Sequence, residues 1–395
     1  MRTDVLANEV RFTMNKKEVL EIRKQYKPEE CSITRICGCY VNGDKEIVAE
    51  SRDAFLSLPD EEIFKYLTIF KQTLSGTIGK NLLNMEFPLA QERPGGTQDF
   101  FLQLRNSRLQ DDMLLQEFYQ KIIDHYDYGE NYYIILIHVA YDIPGRASDG
   151  SEMFDASDEV YEYILCSICP VHLSKEGLCY NPETNHMENR IRDWLVEPPV
   201  KGFLFPAFNE RSTDIHSLLY FSKQAEDLQP EFIEQALGCT FPMSAGNQKN
   251  TFQSVIMNTL GEECEYDVIR NIHENLNEII EETKEAPEPP VLTKPELKRL
   301  LSSSGVTEER METFDSNFDH IAGEKAEFLV PNIAETRKFC IETPDIIIKV
   351  NPERADLVET RIINGRQCLV IEMNDQVEVN GVLIRTLPTA DEAES

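Results

Sequence analysis

Residues 132–141 read YYIILIHVAY, an apolar run broken only by His138. Side chains on a strand alternate between two faces. Both alternating sets are apolar here, so the run predicts a strand covered on both sides, at the centre of a sheet. His138 within it reads as a hydrogen-bonded core histidine. Downstream, further runs of strand character follow over 159–169, 189–196, 200–208 and 215–222, without a helical period between them. Consecutive strands lacking crossover helices predict an antiparallel meander.

Outward from that centre the period becomes helical. Asn15 followed by Glu18 makes a capping box for a helix over 16–26, with Val19, Ile22 and Tyr26 on one face. Ser32–Val41 and Glu46–Ala49 flank Asn42-Gly43, which predicts a two-residue hairpin turn because both turn positions need positive φ. Helices are expected over 59–74, 97–106 and 111–126, and again over 228–238, 248–260 and 264–284. The last places Val268, Ile272, Leu276 and Ile279 on one side.

Residues 284–290, KEAPEPP, are rich in Pro and Glu and read as an extended, solvated linker. Beyond them Thr293 and Glu296 form a second capping box, for a helix to Ser303 closed by Gly305. A helix over 308–321 is followed by strands over 336–342, 345–350, 357–363, 366–373 and 376–386, with turns at Asn364-Gly365 and Asn380-Gly381. The expected class is therefore α+β. A main domain over 14–283 packs helices on a central antiparallel sheet. A smaller domain over 291–387 joins a helical pair to a β unit. Residues 1–13 read as a flexible arm and 388–395 as an acidic tail.

Charge limits the partners. The chain carries 39 Lys and Arg against 70 Asp and Glu, a net −31. The acid is spread evenly, since residues 291–395 hold 12 Lys and Arg against 20 Asp and Glu. Phosphate binding needs clustered cations, and only Met14–Lys27 gathers them, with Lys16, Lys17, Arg23, Lys24 and Lys27 on what reads as a solvated helix face. Nucleic acid and anionic membrane surfaces are thus not the expected ligands; a protein or a small molecule is. The N-terminal residues lack the apolar segment of a signal peptide, and no run is long enough to span a bilayer. The ten cysteines then suggest free thiols in a reducing, cytoplasmic compartment.

Three groupings could carry chemistry. Cys37, Cys39, Cys166 and Cys169 are the right number and type of ligand for tetrahedral zinc. The alternative is buried structural thiols, because both pairs lie in apolar strands. No helix follows Cys166-Ser-Ile-Cys169, which removes the redox reading of that spacing. The run 202–221, GFLFPAFNERSTDIHSLLYF, sets Asn209, Glu210, Arg211, Asp214 and His216 at a hairpin tip. They supply acid, base and anion-binding groups, or simply satisfy local backbone as turn residues do. The segment 142–158 offers Asp142, Asp149, Glu152, Asp155 and Asp158 as oxygen ligands for another divalent cation, or as a solvated loop. Gly76-Thr-Ile-Gly79-Lys80 has the wrong glycine spacing for a phosphate loop, and Asn81 follows its lysine. Ser212 sits in no nucleophile elbow.

The runs SITRICGCYV (32–41), SGTIGKNLLNMEFPL (75–89), FDASDEVYEYILCSICPV (154–171), ENRIRDW (188–194), GFLFPAFNERSTDIHSLLY (202–220) and VNPERADLVETR (350–361) resemble a Gram-positive bacterial family known as domain of unknown function 4317. The resemblance runs from Met14 to about Leu387. It implies a bacterial cytosolic protein with a natural start at Met14, and it brings no activity, cofactor or catalytic residue. Two readings follow from the residues themselves. One is a non-enzymatic binding or adaptor protein. The other is an enzyme with a site around the 209–216 hairpin, metal-assisted by the thiols or the acidic segment.

Overall fold

The computed structural model describes residues 13–146, 152–261, 264–372, 377–379 and 381–384. The arm expected before Thr13 and the tail over 388–395 lie outside them. Contacts divide the chain into two units, Met1–Asn247 and Gln248–Ser395. The division falls ahead of Lys284–Pro290, within a helix.

The first unit runs α1 (Lys16–Lys24), β1 (Ile33–Val41), β2 (Ile47–Asp53), α2 (Asp60–Thr73), β3 (Leu82–Glu86), α3 (Thr97–Asn106), α4 (Asp112–His125), β4 (Tyr132–Arg146) and β5 (Glu152–Leu173). It continues with β6 (Leu178–Asn181), β7 (His186–Asn189), β8 (Trp194–Val196), β9 (Lys201–Phe205), β10 (Ala207–Asn209), β11 (Ser212–Asp214) and β12 (Ser217–Ser222). Eight strands form one antiparallel sheet in the order β2-β1-β4-β5-β9-β12-β3, with β8 pairing onto β5. The stretch β4-β5-β9-β12 is the meander expected from the absence of crossover helices.

Both faces of β4 are covered, as its two apolar sets require. Ile134 and Leu136 join Cys37, Cys166 and Phe203 beneath Phe101 of α3 and Phe118 and Ile122 of α4. Ile135 and Ile137 face the other way, with Leu165, Leu204 and Leu219, beneath Ile22 of α1 and Leu67 and Phe70 of α2. Each such side chain fully withdrawn from water contributes about 1.5–3 kcal/mol. His138 is wholly buried, and its Nδ1 lies 2.8 Å from the Thr34 hydroxyl.

Several elements differ from their sequence reading. Asn42-Gly43 is not a two-residue turn. The Asn42 carboxamide accepts from the amides of Asp44 and Glu46 instead, and Lys45 carries the positive φ. The side chain thus closes a longer loop by imitating a backbone turn. The helix expected over 228–238 is reduced to a π-helical turn, Phe232–Ala236. Much of the run 189–196 is not a strand: only β8 joins the sheet, and the separate hairpin β6–β7 precedes it. Leu82–Glu86, unassigned in the sequence reading, is the edge strand beside β12. The connection expected at 142–158 is mostly ladder, because β4 continues to Arg146 and β5 begins at Glu152.

The second unit contains most of α5 (Ala245–Leu260), followed by α6 (Tyr266–Glu282), β13 (Val291–Leu292), α7 (Lys294–Ser303), α8 (Glu308–Met311), α9 (Phe314–Ile321), β14 (Phe328–Leu329) and α10 (Val330–Ile333). The Thr293–Glu296 capping box forms, and Gly305 takes φ +99° after α7. The helix expected over 308–321 is broken into α8 and α9. Three separate hairpins follow among the described residues: β15 (Phe339–Glu342) with β16 (Ile347–Val350), β17 (Val358–Ile363) with β18 (Arg366–Ile371), and β19 (Val377–Val379) with β20 (Val382–Ile384). Asn364 and Gly365 both take positive φ between β17 and β18, as their sequence requires.

Candidate functional site

The tip of the 202–221 hairpin is a two-residue turn in which Glu210 (φ +50°) and Arg211 (φ +59°) are both left-handed. Neither is a residue that adopts this conformation readily; each position costs about 1–2 kcal/mol. Such geometry persists where the surroundings over-determine it. The determining group is Glu18. One of its carboxylate oxygens accepts from the Arg211 amide at 3.3 Å and the other from the Asn15 amide at 2.8 Å. A single carboxylate therefore caps helix α1 and the hairpin turn together. Glu18 is 5% exposed. Burial raises its pKa above the usual value, opposed by backbone hydrogen bonds from Asn15, Arg211 and Glu210.

Arg211 extends this docking. Its Nε lies 3.1 and 3.2 Å from the two Glu21 oxygens, and its Nη2 donates to Glu21 at 2.9 Å and to the Pro144 carbonyl at 3.1 Å. Planar, two-pronged recognition of a carboxylate suits a guanidinium and not an ammonium. The Tyr141 hydroxyl donates to the same Glu21 carboxylate at 3.1 Å. The start of α1 is held independently: the Asn84 side chain accepts from the Met14 amide and donates to the Met14 carbonyl, both at 3.1 Å.

The other hairpin residues turn elsewhere. Asn209 donates to Asp214 at 2.6 Å. Asp214 accepts from the His216 amide at 2.9 Å and from the Ser217 hydroxyl, closing the base of the turn. The His216 ring meets Glu92 at 2.9 Å, whereas Arg211 meets Glu21. Glu210 is exposed. The five residues do not converge on one point: the cation binds α1, the acid binds Asn209, Ser217 and the His216 amide, and the imidazole pairs with Glu92.

What the docked hairpin borders is a hollow of about 560 Å³ between α1 and the end of β4. Lys17, Glu21 and Lys24 follow one another along a single face of α1, at the spacing that brings helix side chains into line. Gln25, Lys27, Ser32, Tyr141 and Asp142 complete the polar lining. Glu21 is already engaged by Arg211 and Tyr141. Among the described residues, the Lys17 and Lys24 ammonium groups form no ion pair. The helix face read from sequence as solvated is exposed at Lys17, Lys24 and Lys27, and it also forms one wall of this hollow. Its acidic and aromatic partners lie more than a hundred residues away in the chain, and no local pattern reveals them.

The candidate metal ligands are placed differently. Cys37, Cys39 and Cys166 lie in the core beneath α3 and α4, whereas Cys169 lies in the core beneath α1 and α2. Residues three apart on a strand point to opposite faces, so the four thiols cannot close around one ion. Burial pushes the Cys39 thiol up to about 12 and also raises Cys37, Cys166 and Cys169. The arrangement is that of buried thiols, not thiolate ligands. Of the acidic segment, Asp142 lines the hollow and Asp149 lies outside the described residues. Glu152, Asp155 and Asp158 fall along β5. Among the described residues no group of three or more His, Cys, Asp or Glu could hold a metal ion.

Lys201 is a second cation at a concave surface, a hollow of about 320 Å³ that Tyr126 and Asp227 also line. Lys201 is 2% exposed, and its ammonium donates to the Ser222 hydroxyl at 3.0 Å, the Asp227 carboxylate at 2.9 Å and the Asp227 carbonyl. An ammonium has three hydrogens, and all three are engaged. Burial lowers its pKa and the Asp227 carboxylate opposes that shift. It clamps the loop after β12.

A family model described as Domain of unknown function (DUF4317) matches residues 14–382. No curated protein matches the chain.

Proposed function

We propose, for a chain that belongs to the DUF4317 family, a non-enzymatic binding function in which a small polyvalent anion occupies the hollow beside α1. The observation that carries it is the pair Lys17 and Lys24 on one concave wall, with Lys27 nearby, in a protein of net charge −31. Cations gathered in a hollow focus the field there and draw in anionic ligands. The volume lies in the range of small-molecule sites. Arg211 serves as the strut: it pairs with Glu21, which leaves Lys17, Lys24 and Lys27 against Asp142 in the charged lining.

The divergence of Asn209, Asp214, Arg211 and His216 supports binding over catalysis, because no acid, base and cation face one reacting position. The acid spread over both units also weighs against long polyanions, which need an extended cationic track. No helix among the described residues is long and apolar enough to cross a membrane. Calorimetric titration of the full chain with citrate tests the proposal. Saturable binding is expected, weakened by about tenfold or more in K17E/K24E. Equal binding by the parent and the double variant would refute it.

A further inference from the structure

We infer that the hollow beside Lys201 is a site for one zwitterionic amino acid whose side chain is aromatic and carries a hydroxyl. The hollow measures about 320 Å³, within the range of small-molecule sites. Charge in the lining sets the ligand's outer end. Lys201 pairs with Asp227 at 2.9 Å, and His172 pairs with Glu130 at 3.0 Å. Lys223 and Glu197 remain, both exposed, and neither forms an ion pair among the described residues. A free cation and a free anion beside an otherwise balanced lining are complementary to an α-carboxylate and an α-ammonium.

The inner end is set by two tyrosines. Tyr126 closes α4 and Tyr128 follows it; their rings stack with centroids 5.8 Å apart. With Pro170 and Pro198 they give the hollow flat, apolar surfaces on which an aromatic body packs. Tyr126 is 1% exposed, and its hydroxyl has no hydrogen-bond partner among the described residues. The hydroxyls of Tyr119 and Tyr132 share that lack but are sealed from solvent, whereas that of Tyr126 is not sealed. Burial raises the Tyr126 pKa, so the hydroxyl keeps its proton. Tyr128 and Asp227, both in the lining, also act on it electrostatically, which puts the hydroxyl on the hollow's side of the ring. The neighbouring Gln229 amide does not compete, because both its ends bond the Asp127 backbone. A site that holds a hydrogen-bonding group against a substrate hydroxyl discriminates against the analogue lacking it.

Ligand-observed NMR titration of the full chain tests this with free tyrosine, free phenylalanine and N-acetyltyrosinamide. Tyrosine is expected to bind saturably. N-acetyltyrosinamide keeps the phenol but lacks both charges, and is expected to bind about tenfold more weakly. K223E alters only an exposed residue and is expected to weaken tyrosine and phenylalanine alike, by about tenfold. Y126F removes one oxygen from a buried ring and is expected to weaken tyrosine alone. Urea midpoints, measured alongside, separate loss of binding from loss of folding. Failure of tyrosine to saturate, equal binding of N-acetyltyrosinamide, unchanged binding in K223E, or an equal effect of Y126F on tyrosine and phenylalanine would each overturn the inference.

Discussion

Glu18 satisfies backbone amides from two segments nearly two hundred residues apart. Its removal should therefore cost more than loss of an ordinary helix cap. E18A is expected to lose about 2–3 kcal/mol in urea unfolding, against about 1 for a typical cap. A loss no larger than that of N15A would show that the contact with the hairpin adds nothing. The first of Glu18's roles was legible in the sequence, because Asn15 and Glu18 are three residues apart. The second was not, because Arg211 approaches only through tertiary folding. His138 behaves in the same divided way: its burial was legible from its apolar neighbours, but its consequence depends on the fold. Burial depresses its pKa to about 4. The unfolded chain then takes up the proton first, so stability is full above the usual histidine value near 6.5 and falls as pH drops toward 4. Urea unfolding across that window is expected to show the decline in the parent and a shallower one in H138Q. Parallel slopes would assign the decline to other groups.

At the scale of elements, periodicity carried most of the reading. α2, α3 and α4 formed where their apolar spacing placed them, since each buries a continuous face, and β4 began where expected but runs on to Arg146. The errors fell where a side chain replaced backbone geometry, as at Asn42, or where a short edge strand had little pattern, as at Leu82–Glu86. One close approach was invisible at that level. β9 passes α2 so closely that a methyl group on Gly202 would lie 2.4 Å from the Cys166 carbonyl oxygen and 2.6 Å from the Thr73 side chain. The Thr73 hydroxyl meets that of Ser167 at 2.7 Å across the same contact. Backbone cannot retreat as a flexible side chain can. G202A is expected to destabilise the protein by about 2–4 kcal/mol in urea unfolding. A change within about 0.5 kcal/mol would mean that helix and sheet separate without penalty.

For the molecule as a whole, the proposed ligand follows from the distribution of charge. Net negative charge on both halves was read directly from composition. The concave pocket beside α1 was not legible, because its wall came from the N-terminal helix, its floor from β4 and its strut from the 210–211 turn. The proposed function requires that hollow to hold an anion. Hydrogen exchange of the full chain with and without citrate examines it in place. Slower exchange is expected in residues 16–27, 140–146 and 209–212, and it should weaken steeply as salt rises, since screening shortens the reach of surface charge. Citrate protection confined to other segments, or none at all, would contradict the account.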